Sequence, residues 1–151
     1  PVRGKRTEQA QTLRLLDASG AVQLELPLTP MTETVRLVEG LPVLEPVLPA
    51  SGVGLHRGSA PFGGGGTTVI AIPAGTAPGL RQTKPGDRLV GCNTDATCYE
   101  QRVIVAETWS LDRLHRIVRD WPADGGVLLY LILDETDAWV IQAQPRGGGS
   151  R

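Results

Sequence analysis

The sequence predicts an α+β domain, predominantly antiparallel β, built as a sandwich or a partly open barrel with one short amphipathic helix near the C-terminus. Three observations carry this. Segments with strand-type alternation or β-branched runs recur along the chain between Gly- and Pro-rich turns. The 19 glycines and 12 prolines favour turns and strands over helices. Only Ser110–Asp120 shows apolar residues at helical spacing.

Taken in order, residues 1–10 are polar and basic without periodicity and read as a flexible arm. Thr12–Leu16, the turn Asp17-Ala-Ser-Gly20 and Ala21–Leu28 form a hairpin signal. Val22, Leu24, Leu26 and Leu28 alternate there with Gln23, Glu25 and Pro27. Pro27 and Pro30 are expected to bar a continuing central strand. Thr34–Val38 is a third short strand. Pro42, Pro46 and Pro49, then seven glycines in Ser51–Gly66, make 39–66 one long Pro/Gly-rich loop. No Lys-Ser or Lys-Thr follows those glycines, so they are not a phosphate loop.

Thr67–Ile72 is a β-branched strand, and Ala74–Asp87 a connector with a Pro85-Gly86 turn. Arg88–Gly91 and Gln101–Trp109 flank a loop bounded by Cys92 and Cys98. Ser110 is placed as an N-cap and Asp112 in the first turn of the helix. Leu111, Leu114, Ile117, Val118 and Trp121 then form an apolar stripe, with Arg113, His115, Arg116 and Arg119 on the remaining surface. Pro122 and Asp124-Gly125-Gly126 stop it. Val127–Leu133 is apolar at every position, which fits a strand covered on both faces or an edge of an oligomer. A polar turn, Asp134–Asp137, leads to the return strand Ala138–Ala143. The organisation is therefore an arm over 1–10, one β-rich domain over 11–144 and a disordered tail over 145–151.

Composition narrows the function classes. A net charge of −1 supplies no basic field for nucleic acid or an anionic membrane surface. Aromatics at 4% leave few stacking platforms. The opening Pro1-Val-Arg-Gly-Lys-Arg6 lacks an apolar h-region, so the expectation is no signal peptide and a cytoplasmic origin.

Chemistry-bearing residues are sparse. Cys92 and Cys98 read as a thiol pair or a disulfide pinning a hairpin loop. A tetrahedral metal site wants more ligands than these two and the two histidines, His56 and His115, supply. No nucleophile lies at a recognisable spacing from a base, so no catalytic residue is nominated. His56 reads as an exposed loop histidine. Asp134, Glu135 and Asp137 read as a solvated turn, without the spacing of a calcium loop. Lys84-Pro-Gly-Asp-Arg-Leu-Val90 is similar to a turn-and-strand of Hint and intein domains. Their first-position nucleophile and Thr-x-x-His block are missing, which leaves turn chemistry. Neither a cofactor nor a metal is expected, and the chain reads as no enzyme.

Two segments resemble structural proteins of tailed-bacteriophage tails, of the baseplate, distal-tail and tail-completion type. Thr12–Pro30 is similar to their opening hairpin, and Leu111–Ala143, with Ile117 and Trp121, to their late helix, buried strand and hairpin return. The resemblance implies a non-enzymatic ring or adaptor subunit in a virion tail, assembled in the host cytoplasm. Its partners would be copies of itself and neighbouring tail proteins, with no nucleic-acid specificity and no membrane. The interface residues would be Val2, Arg3, Lys5, Arg6, His56, Arg57 and Phe62, in the arm and the long loop. Two other classes remain: a free-standing binding module with the Gly-rich loop as its grip, and a hydrolase using His56 or His115.

Overall fold

A computed structural model describes residues 11–47, 53–56, 59–119 and 126–145. The elements are β1 Thr12–Leu16, β2 Val22–Pro30, β3 Thr32–Val38, β4 Leu41–Val47, β5 Val53–Leu55 and β6 Thr68–Ile72. A 3-10 turn at Pro78–Gln82 precedes β7 Arg88–Cys92 and β8 Cys98–Ser110. Helix α1 Leu111–Arg119, β9 Val127–Ile132 and β10 Asp137–Pro145 follow. Eight strands close into a barrel in the order β1-β2-β5-β6-β9-β10-β8-β7, and β7 returns to pair with β1. Two of the pairings are parallel, β2 with β5 and β6 with β9. The chain is thus mostly β with a short helix, as the pattern predicts. The sandwich alternative falls, and the barrel is closed rather than partly open.

Inward-facing residues fill the barrel. Leu13 and Leu15 of β1, Ile70 and Ile72 of β6, Leu89 of β7, Val103 of β8, Leu129 and Leu131 of β9 and Ile141 of β10 pack with Phe62 and Leu80. Each such side chain, fully covered, contributes about 1.5–3 kcal/mol. A second cluster lies outside the wall, where Val69, Ala71, Leu128, Tyr130, Ala138 and Val140 pack beneath Trp109 and Leu114. This explains the uninterrupted apolar run of β9. The strand is central, between β6 and β10, with its odd-numbered residues in the barrel and its even-numbered ones facing α1. It is not an oligomer edge. The cap of α1 also follows the sequence, since Ser110 Oγ accepts from the Arg113 N–H at 3.2 Å.

Two expectations fail for identifiable reasons. Pro27 does not end the second strand, which runs on to Pro30 and stops there. Its other neighbour, β5, pairs only with Leu28–Pro30, so Pro27 has no second ladder to break. The region 39–66 is not one loop, because it contains β4 and β5. β4 pairs with β3 as a two-stranded hairpin outside the barrel, where one edge of each strand is unpaired. Pro42 and Pro46 are four pairs apart on β4, an even spacing, so both can turn the side without an N–H toward the edge that is unpaired among the described residues. The arm over 1–10 and the residues after Pro145 lie outside the described residues, as does Trp121 of the helical stripe.

Gly91 shows how tightly the interior is filled. A Cβ there would stand 2.2 Å from Phe62 Cδ1 and 2.3 Å from Cε1. Gly91→Ala is expected to destabilise the protein by about 1–3 kcal/mol through overpacking. Combined with Phe62→Leu, the cost should be smaller than the sum of the two single changes. Equilibrium urea unfolding measures both.

Candidate functional site

Two small constellations of reactive groups form, and they are separate. The first centres on His56, which follows β5 directly. Its backbone N–H donates to the Val69 carbonyl at 2.9 Å, which fixes the residue against β6. Its Nε2 lies 2.6 Å from Tyr130 Oη, and the two rings meet edge to face at 5.6 Å. Tyr130 points outward from β9 into the apolar layer under α1 and is only 5% exposed. Burial holds the His56 pKa below its ordinary value of 6.5, and the nearby charge of His115 on α1 adds to the effect. Burial alone pushes the Tyr130 phenol well above its ordinary range. At neutral pH the pair is therefore an uncharged imidazole hydrogen-bonded to an uncharged phenol, the state in which proton transfer is available to both.

The second constellation is the β7–β8 hairpin. Cys92 and Cys98 are Cα partners across the strands and are joined by a disulfide, with Cα atoms 4.0 Å apart. No other cysteine exists in the chain. Asn93, next to Cys92, clamps the Gly-rich loop: its Oδ1 accepts from the Phe62 N–H and its Nδ2 donates to the Phe62 carbonyl, both at 2.9 Å. Gly63, at φ 75°, lies against the Tyr99 ring, where a Cβ would come within 2.4 Å. This part of the loop is a pinned plug.

Placement of the other expected residues is mixed. Phe62, expected at an interface, is 2% exposed and sits in the barrel core. His56 is half-buried and bonded to Tyr130, not an exposed loop histidine. Val2, Arg3, Lys5, Arg6 and Arg57 lie outside the described residues. His115 is exposed on α1. Asp134 accepts from the Thr136 N–H at 2.8 Å and the Asp137 N–H at 2.9 Å, so its carboxylate closes its own turn. Among the described residues no three His, Cys, Asp or Glu side chains group as a metal site would require. Nor is any helix there long and apolar enough to cross a membrane. Sequence reading missed Tyr130. Its signal was the one hydroxyl in an otherwise apolar run.

Neither a protein-family model nor a curated protein matches the sequence. Solved structures do. Sortase A of Listeria monocytogenes superposes with a TM-score of 0.62 at 16% identity, covering 92% of this chain and 88% of that one. Sortase E of Streptomyces avermitilis gives 0.60 at 14%, over 95% of both chains. The catalytic domain of B. anthracis SrtD gives 0.59 at 17%, over 96% of this chain and 92% of that one. The barrel has the sortase fold.

That likeness overturns the bacteriophage-tail reading, its ring or adaptor subunit and the viral assignment with it, because the structures that the whole barrel superposes on are sortases. It equally overturns the expectation of a non-enzymatic chain, since the structures the chain superposes on are sortases, one of them a catalytic domain. The tail resemblance rested on a hairpin and a helix–strand block that this barrel also contains. The chain's two cysteines are joined to each other, so neither is a free thiol in this structure.

Two outcomes follow from the geometry. Unfolded, His56 takes up a proton near pH 6.5; folded, it does so only at lower pH. The unfolded chain therefore binds more protons in that window, and stability falls as pH drops through 6.5. Melting temperatures from pH 8 to 5 should show this decline, and His56→Gln should flatten it. Opening the short Cys92–Cys98 ring by Cys92→Ser/Cys98→Ser is expected to cost roughly 2–3 kcal/mol, read by urea unfolding of the oxidised protein against the variant.

Proposed function

We propose that this chain is an acyl-transfer enzyme acting on a peptide carbonyl, with the His56–Tyr130 pair as its proton-handling centre. The observation that carries the class is a fold shared with sortases over nine-tenths or more of the chain. The pair itself supports the choice of centre. It joins two titratable side chains at 2.6 Å, both shifted by burial toward their neutral forms. In the tautomer whose Nε2–H donates to Tyr130 Oη, Nδ1 takes the proton of an attacking amine or water as the new bond to the acyl carbon forms. The bond to the leaving group breaks, the imidazolium gives that proton to it, and the phenol holds the ring throughout. The apolar layer of Met31, Val69 and Leu128 lowers the local dielectric and strengthens that bond.

A second reading is favoured by the fold's own chemistry. Cysteine transpeptidation runs through a thiolate, and Cys98 is the more exposed of the two sulfurs. On this reading the disulfide form is latent and a reductant releases the nucleophile. No imidazole bonds to either sulfur, and both sulfurs are held in the disulfide, which places this reading second. The disulfide also fits an oxidising compartment better than the cytoplasm.

One assay separates the readings: acyl transfer from a peptide thioester to glycinamide, followed by mass spectrometry with and without reductant. The expected result is turnover by the oxidised protein that falls roughly 100-fold or more in His56→Gln and persists in Cys92→Ser/Cys98→Ser. Turnover that needs reductant and disappears in the double serine variant transfers the role to Cys98. Absence of transfer in both redox states overturns the acyl-transfer proposal.

A further inference from the structure

On the outer wall of the barrel, Arg88 of β7 and Arg102 of β8 are Cα partners across an antiparallel pair. Like charges facing each other directly in a ladder repel, so this register is destabilising unless an anion stands between them. One carboxylate is already present. Glu100, two residues before Arg102 and on the same face, pairs with Arg88 Nε at 3.6 Å. Arg88 also donates from its terminal nitrogen to the Ala18 carbonyl at 3.3 Å, which aims the guanidinium at the β1–β2 turn. The Arg102 guanidinium has no hydrogen-bond or ion-pair partner among the described residues.

These groups line a pocket of about 240 Å³, walled by Ala18, Gly86, Arg88, Glu100 and Arg102. Gly86 keeps one side open, and its φ of 98° belongs to the turn before β7. Two other acids are near in sequence. Asp87, between Gly86 and Arg88, pairs with Lys84 at 3.5 Å and accepts from its backbone N–H, and Asp17 accepts from the Ser19 and Ala21 N–H groups and from Gln23. Among the residues that line the pocket, two guanidinium groups stand against one carboxylate. The volume lies below the range of drug-sized sites, about 300–1,000 Å³.

We propose that this pocket binds the carboxylate of a small acyl-amino acid or of a peptide C-terminus, held between Arg88 and Arg102. A carboxylate brings the one negative charge that the cluster lacks, and a guanidinium fork matches its two oxygens. Glu100 discriminates against dianions, whose second charge it repels. The site lies apart from His56 and Tyr130 and is independent of the proposed acyl transfer.

The test is an NMR titration of the oxidised protein with N-acetylglycine, free glycine, glycinamide and inorganic phosphate. N-acetylglycine is expected to shift the amides of Ala18, Gly86, Arg88, Glu100 and Arg102 in a saturable manner. Arg102→Gln should weaken it roughly tenfold. Arg102 is exposed and faces a like charge, so the variant should keep or slightly raise the native melting temperature. Glu100→Gln should tighten N-acetylglycine about twofold or more and phosphate by a larger factor. Tighter binding of glycine than of N-acetylglycine assigns the site to a free amino acid, the reverse to a peptide terminus. Equal shifts with glycinamide, phosphate binding as tight as N-acetylglycine, or no shift at these five residues overturns the proposal.

Discussion

Strand β9 carries no charged side chain and must be covered from both sides, and much of the molecule is arranged around that need. Its odd-numbered residues reach into the barrel, and its even-numbered ones require a second layer outside. Helix α1 supplies that layer through Leu114, held over the wall by the Ser110 cap and by Arg113 stacked 4.1 Å above the Trp109 ring. Parallel pairing with β6 joins two strands that are buried on both faces, as parallel pairs usually are. The same covering buries Tyr130 and brings His56 against it. The most chemically suggestive contact in the structure is thus a by-product of how β9 is packed.

That origin bears on function. A buried phenol needs a hydrogen-bond partner, and an imidazole from the end of β5 satisfies it. A structural requirement and a catalytic one can be met by the same pair, so the bond alone does not distinguish them. What tips the balance is that His56 is only half-buried, while its partner is almost wholly covered. A purely structural partner is most economically sealed along with the group it satisfies. The thiols tell the opposite story: they close a hairpin whose adjacent Asn93 clamps Phe62 into the core, a role in which reactivity would be a liability.

Legibility followed contact range. α1, β1, β6 and β9 announced themselves because capping, alternation and apolar runs are local properties. β4 and β5 did not. β4 tolerates Pro42 and Pro46 only because it stands at an edge, and β5 is three residues held by neighbours on both sides. Barrel closure depends on β1 meeting β7 and on β6 lying parallel to β9, pairings that no local pattern encodes. The His56–Tyr130 bond spans 74 positions, so one partner read as loop and the other as core. The likeness to tail proteins failed for the converse reason. A hairpin and a helix–strand block are local motifs that many folds share, and they cannot identify the sheet that contains them.

The acidic residues show how a local device can imitate a site. Asp17-Ala-Ser19, Asp95-Ala-Thr97 and Asp134-Glu-Thr136 occupy the turns after β1, β7 and β9. In each the carboxylate accepts from the N–H two residues on and from the hydroxyl of the same residue. Those bonds, the hydroxyl's foremost for Asp17 and Asp95 and the backbone's for Asp134, hold all three carboxyls below the usual carboxylate range. Such turns look like ligand clusters in a sequence, yet their oxygens are already engaged by the chain itself. Arg88 and Arg102 differ because they face each other across a ladder. Arg88 reaches the Ala18 carbonyl of the β1–β2 turn, whereas the Arg102 side chain meets no turn or helix end, and it is there that the barrel has capacity for a ligand.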